Sequence, residues 1–189
     1  LSSFYLDIAK DRLYVSSKSD FRRRSCQTVL SLIIEKISGL IAPVLCHMAE
    51  DIWQNIPYSL EEDSVFQRGW PKVPESWLNS RLNIHVSELR KLRTVINRML
   101  ESCRNNQQLG SSLEASVRVD IFDEKVKDAI EWLSQSESNK VDVLRDWFIV
   151  SSLQIGGDPW AEVLVSEDND IASVDIAKAK GFKCERCWH

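Results

Sequence analysis

The sequence is poor in the residues that loosen a chain. It has 6 Gly and 5 Pro in 189 residues, too few for a collagen-like repeat or a Gly/Pro-rich linker. No apolar run is long enough to cross a bilayer: the strongest, around 30–45, is interrupted by Glu35 and Lys36, so no membrane span is expected. An excess of positive charge is also missing. Lys and Arg total 24 and Asp and Glu 28, for a net charge of −4, which is not the overall basic signature of a nucleic-acid-binding domain. Any contact with nucleic acid must therefore rest on a local cluster. There is no Gly-rich phosphate loop and no nucleophile elbow. The opening residues carry no basic stretch followed by an apolar one and a cleavage site, so no signal or transit peptide is expected in them. The five cysteines, Cys26, Cys46, Cys103, Cys184 and Cys187, are odd in number and three lie in helical patterns. That argues against a secreted disulfide framework and for a reducing compartment.

What remains is ordinary globular material, 43% hydrophobic and 28% charged, in a length that suits one domain plus a smaller unit. Seven Trp point to well-filled cores or binding grooves. Phe4, Ile8 and Leu13 share one helical face of the opening segment. After a polar break at 16–20, Asp20 is a candidate helix N-cap. Leu30, Ile33, Ile34, Ile37, Leu40, Ile41, Val44, Leu45, Met48 and Ile52 keep 3–4 spacing, which predicts one long helix kinked at Pro43 and ending near 53–56. Residues 57–80 read as a long connection packed back through Trp70 and Trp77. A further helix is expected over 81–105, with Leu89, Leu92, Ile96, Met99, Leu100 and Cys103 as its apolar stripe, and Gly110 ends the region. Then the period changes to two: Val117, Val119 and Ile121 alternate with Ser116, Arg118 and Asp120, a strand signal. A short helix over 123–135 and strands over 147–155, 160–165 and 171–177 follow, with Gly-Gly-Asp-Pro at 156–159 as turn chemistry. The expected fold is mainly α: a helical bundle over 1–110, a small mixed α/β unit over 111–180, and a truncated metal knuckle over 181–189.

Several groups could carry chemistry. Arg22, Arg23 and Arg24 stand at a helix start, where cations oppose the helix dipole, so an anionic partner such as phosphate is indicated; a solvated charge run is the blander alternative. Arg90, Arg93, Asn97 and Arg104 fall within about 60° of one another on a helix at about 100° per residue. Arg matches phosphate bidentately and Asn can read a base edge; salt bridges to the acidic residues at 61–63 are the alternative. Cys184 and Cys187 form a CxxC pair that can supply two thiolates to Zn²⁺, half of a structural site, with His189 a weak third candidate. Ordinary cysteines and a thioredoxin-like redox pair compete with that reading. Cys46 and His47 are adjacent, so on a helix their side chains point about 100° apart and do not make a catalytic pair; Cys46 reads as core. His85 stands alone, and Asp7, Asp11, Glu50 and Asp51 read as solvent-facing or capping carboxylates.

Taken in order, several runs resemble one family. FYLDIAKDRLY at 4–14, RSCQTVL at 24–30, LIAPVL at 40–45, AEDIW at 49–53, SVF at 64–66, GWP at 69–71, LGSSLEA at 109–115 and KCERCWH at 183–189 are similar to the C-terminal region of bacterial-type isoleucyl-tRNA synthetases, class I enzymes. The similar stretches comprise the anticodon-binding helical domain and the first half of a C-terminal zinc finger. The helical pieces are shared with valyl and leucyl relatives; the terminal knuckle favours the isoleucyl member. The resemblance implies part of a longer chain that joins isoleucine to its tRNA with ATP and Mg²⁺, bound elsewhere. The family's His-Ile-Gly-His and Lys-Met-Ser-Lys-Ser signatures have no counterpart here, since His occurs at 47, 85 and 189 and neither Met follows Lys. It therefore implies an RNA-binding segment without catalytic residues, contacting the anticodon stem-loop of isoleucine tRNA through Arg22, Arg23, Arg24, Arg90, Arg93, Asn97 and Arg104. The Cys184/Cys187 half-site for zinc, a monomeric state, the remainder of the synthetase as partner and a cytoplasmic location, or an organellar one, complete the expectation. A helical protein-interaction domain without an RNA role is the competing class.

Overall fold

A computed structural model describes residues 2–135 and 143–181. The order of elements is a π-helical turn Ser2–Leu6, α1 (Asp7–Tyr14), α2 (Phe21–Ile41), α3 (Cys46–Gln54), α4 (Ser80–Asn105), β1 (Ala115–Ile121), α5 (Glu124–Gln135), α6 (Val143–Phe148), β2 (Ser152–Ile155), β3 (Val165–Asp168) and β4 (Ala172–Lys178). The chain is thus mainly helical with one small mixed sheet, the class the periodicities predict. The chain forms two compact units. One compact unit runs from Ala9 to Leu78; the other joins the residues up to Ile8 with those from Asn79 onward.

The Ala9–Leu78 unit is built on a helix–turn–helix. Asp20 caps α2, its carboxylate accepting the Arg23 backbone N–H at 3.1 Å, which satisfies one of the helix's orphan donors. The single kinked helix predicted through Pro43 is instead two: α2 stops at Ile41, a turn covers 42–45, and α3 starts at Cys46. Proline has no N–H to donate and its ring crowds the preceding turn. Here, with short bonds from Val44 and Leu45 N–H to the Ile41 carbonyl, the outcome is a break. Ala42, Ala49, Trp53 and Val65 form a small core. Trp53 Nε1 donates to the Glu62 carbonyl at 3.0 Å, and Arg68 lies 5.4 Å over the Trp53 ring while pairing with Glu35 at 3.2 Å. The connection is therefore tied back by Val65, Arg68 and Pro71. Trp70 and Trp77, the expected tethers, are 67% and 49% exposed. Pro71 sits so close to α2 that a Cβ on Gly39 would lie 2.6 Å from its Cγ.

In the second unit the sheet order is β2-β1-β4-β3, with β1 parallel to β2 and the other neighbours antiparallel. Leu89, Leu92, Ile96, Met99, Leu100 and Cys103 of α4 pack into one core with Val117 and Val119 of β1, Val126 and Leu133 of α5, and Val174 and Ile176 of β4. That shared core is why α4 belongs with the sheet. The strand predicted over 147–155 is α6 followed by β2. Phe148 is buried in the core, and packing overrides the β-propensity of the Trp-Phe-Ile-Val run. The strand predicted over 160–165 falls mostly in a loop; β3 begins only at Val165, after the Leu164 N–H bonds the Ile176 carbonyl at 2.7 Å. β1, α5 and β4 lie close to their predicted ranges. Arg118, on the polar side of the β1 alternation, is only 5% exposed.

Candidate nucleic-acid interface

The three arginines at the start of α2 are not equivalent. Arg23 folds back, its guanidinium donating to the Ser16 carbonyl at 3.1 Å, and Arg22 is half-buried. Arg24 is exposed and has no carboxylate in ion-pair range among the described residues. The Asp20 carboxylate offsets the cost of placing cations at a positive helix end.

Helix α4 concentrates positive charge: Arg81, Arg90, Lys91, Arg93, Arg98 and Arg104 against Glu88 and Glu101. A negative chain thus contains a cationic helix. Its arginines divide by position. Arg93 borders the apolar stripe and is 8% exposed. Its guanidinium donates to the backbone carbonyl of Trp147 and lies 5.5 Å from the centre of the Phe4 ring. Burial pulls its pKa below the usual guanidinium value, opposed by the Asp7 carboxylate, and it remains a cation. Arg90, one turn earlier, is exposed and lies 5.4 Å over the same Phe4 ring. Trp147 meets that ring edge-on, with centroids 5.0 Å apart and planes at 75°. Such contacts orient a guanidinium without neutralising it. No carboxylate among the described residues lies in ion-pair range of Arg90. Asn97 is exposed, and Arg104 pairs with Glu101 of its own helix at 3.1 Å. Within the acidic stretch at 61–63, Glu62 pairs with Arg68 at 3.8 Å.

Arg90, Asn97 and Arg104 thus form an exposed line. Their seven-residue spacing sets them about 10 Å apart at 1.5 Å per residue, with about 20° of drift per step. Arg93, predicted with them, is withdrawn into a structural contact. Lys91 with Glu88 (2.7 Å) and Arg98 with Glu167 form ion pairs. The partner that sequence reasoning missed is Phe4. It was legible as an apolar residue of the first segment, but nothing local connects it to Arg90 and Arg93, more than 80 positions later.

Of the described cysteines, Cys26 and Cys103 are buried and Cys46 is exposed. Cys46 is therefore not the core residue the sequence predicts; because α3 begins there after the turn, it faces out. Burial pushes the Cys103 thiol's pKa up, which makes it an inert packing residue. His85 stacks on Trp132, centroids 5.3 Å apart and planes 9° from parallel. Cys184, Cys187 and His189 lie outside the described residues, and no described group of three or more His, Cys, Asp or Glu is arranged to hold a metal ion. Two thiolates are half of the four-ligand set of structural zinc, so the cysteine pair alone does not complete a site. No described helix is long and apolar enough to cross a membrane.

The mainly helical scaffold thus exposes an Arg90–Asn97–Arg104 line on α4, with Arg90 held over an aromatic ring, which is the charge and exposure that contact with a phosphate backbone requires. Comparison with known proteins narrows the class: the sequence model of the anticodon-binding domain of tRNA ligases matches residues 1–119, and the chain belongs to that family. Across all 189 residues the chain is 88% identical to the isoleucine–tRNA ligase of Prochlorococcus marinus (strain NATL2A), covering 20% of it. It is 59% identical to that of Prochlorococcus marinus (strain MIT 9313), again 20% of the relative. It is 58% identical to the isoleucine–tRNA ligase of Parasynechococcus marenigrum (strain WH8102), 19% of that protein. The chain therefore spans about one fifth of the length of these curated relatives.

Proposed function

We propose that this chain is the part of an isoleucine–tRNA ligase that grips the anticodon stem-loop of isoleucine tRNA. The observation that carries the reading is the coincidence of the family match over 1–119 with the exposed, un-neutralised Arg90 on α4. Arg90, Asn97 and Arg104, together with Arg22, Arg23 and Arg24, contact the RNA. The arginines hold phosphates and fix the register, while Asn97 meets a base or sugar edge. Arg93 acts through Phe4, as a strut for the ring that orients Arg90.

Isoleucine activation with ATP and Mg²⁺, and transfer to tRNA, are carried by parts of the ligase outside these residues. Exposed apolar side chains on the Ala9–Leu78 unit, among them Val44 at 82% and Trp70 at 67%, support contact with the remainder of the ligase chain. Cys184 and Cys187 supply two of the four ligands of a zinc knuckle. The ligase acts as a monomer in the cytoplasm.

The test is binding of isoleucine tRNA as a function of salt. Removing one arginine–phosphate pairing lowers the slope of log affinity against log salt by about one, so Arg90→Ala should bind more weakly and with a shallower slope. Equal affinity and slope in the two proteins would remove Arg90 from the interface.

A further inference from the structure

The exposed line on α4 has two flanks, and they are built differently. On one side the Phe4 ring meets Arg90 and Arg93. On the other stands Arg98. It follows Asn97 in the chain, so it lies about 100° round the helix from Asn97 and about 80° from Arg90. Its side chain is 65% exposed, and its guanidinium pairs with the Glu167 carboxylate of β3. No other cation lies in ion-pair range of Glu167 among the described residues.

Glu167 reaches that flank from a sheet edge. β3 pairs with β4 alone. Alternate residues of a strand share a face, so Glu167 shares one with Val165, which packs against the core. Glu167 stands opposite Val174 and Val165 opposite Ile176, both core residues. A carboxylate in that row gains nothing from apolar packing. A pair as exposed as this one also adds little to stability. Its main effect is on charge, because it cancels one cation beside the line. Arg104 is paired with Glu101 of its own helix, whereas Arg98 is neutralised by a strand residue 69 positions away. The fold, and not the helix sequence, sets the charge of this flank.

The consequence for RNA follows from the nature of phosphate contacts. They carry no sequence information, so a broad stripe of free arginines grips any phosphate backbone. With Arg98 held, the stripe narrows to the single row Arg90, Asn97 and Arg104. A backbone that strays from the row toward β3 meets a carboxylate in place of a free cation. Specificity is a difference of affinities and can be raised by a cost placed against the wrong partner. We propose that Glu167 is a specificity-determining residue of the RNA interface: it withholds Arg98 from phosphate and so disfavours RNA whose backbone leaves the α4 row. The proposal rests on the RNA-binding reading above.

The test uses the full-length protein with isoleucine tRNA and a non-cognate tRNA, each titrated at several salt concentrations. Glu167→Gln frees Arg98. The non-cognate tRNA should then bind more tightly, with a salt slope steeper by about 0.7–0.9 for the added phosphate contact, so that the gain is about threefold larger at 50 mM than at 200 mM salt. Isoleucine tRNA should gain less, and discrimination should fall. Adding Arg98→Ala to Glu167→Gln should restore the wild-type slope, and Glu167→Asp should keep the discrimination. If Glu167→Gln binds both RNAs with wild-type affinity and slope while Arg90→Ala weakens binding, the pair serves only the sheet edge, where inward charges block strand pairing; the proposal is overturned and the α4 interface stands. An equal gain for both RNAs refutes the role in specificity. Weaker binding of isoleucine tRNA by Arg98→Ala alone would show that Arg98 already holds a phosphate, and would overturn the proposal as well. If the wild type binds neither RNA at low salt, the proposal and the RNA-binding reading both fall.

Discussion

Asp175→Ala should be among the most damaging single changes in the sheet unit. Asp175 is 4% exposed and Arg118 5%, and they meet at 2.8 Å with no water-exposed route for either charge. Alanine leaves the guanidinium buried with only the Gly157 carbonyl and removes the acceptor of Ser166. Breaking a buried pair from one side costs about 3–5 kcal/mol. Because neither group is solvent-screened, no large discount applies, and the melting temperature should fall by roughly 6–20 °C at about 2–4 °C per kcal/mol for a chain of this size. The decisive comparison is the double variant Arg118→Met/Asp175→Leu. A buried pair replaced by apolar groups of similar volume is about neutral or stabilising by roughly 1–4 kcal/mol. Urea unfolding followed by far-UV circular dichroism on the wild type, the single variant and the double variant measures both values. A cost below about 1 kcal/mol for Asp175→Ala would put it in the range of exposed pairs, and would refute the claim that the pair is desolvated.

Three further perturbations address other levels of the structure. Asp20→Ala removes the N-cap of α2 and should cost about 1 kcal/mol, read as a lower urea midpoint with an unchanged slope. Gly39→Ala places a Cβ 2.6 Å from Pro71 Cγ; overpacking should cost about 1–3 kcal/mol, and an unchanged melting temperature would mean that the connection moves freely off α2. Glu50 has its pKa lowered, chiefly by the Gln54 amide and also by Ser64 and the Val65 N–H, with partial opposition from desolvation. A lowered folded-state pKa means that its contribution is complete above the ordinary carboxylate value and disappears as pH falls through the folded one. Stability against acid should therefore decline over that range in the wild type and less so in Glu50→Gln, and identical pH profiles would dismiss the Glu50 hydrogen bonds.

How much of this was legible in the sequence varies by element. The stripe from Leu89 to Cys103 located α4 almost to the residue, the alternation at Val117, Val119 and Ile121 located β1, and Asp20 announced the start of α2. The ordered runs at 4–14, 24–30, 40–45 and 109–115 were enough to suggest the family that the match over 1–119 establishes. Each of these signals is local. Periodicity and capping are set by residues within a few positions of one another.

What the tertiary structure decided is which groups those elements meet. The same turn of α4 carries Arg90, exposed, and Arg93, buried and bonded to the Trp147 carbonyl, because the Phe4 ring and the Trp147 backbone meet one edge of the helix. β1 shows Arg118 in a polar alternation, yet a partner 57 residues away and a loop fastened over it make it a core charge. Trp-Phe at 147–148 became helix, and Trp70 stayed exposed where a packed side chain was expected. Secondary structure follows from neighbours along the chain. Burial, and with it whether an arginine is a strut or a hand for RNA, follows from neighbours in space.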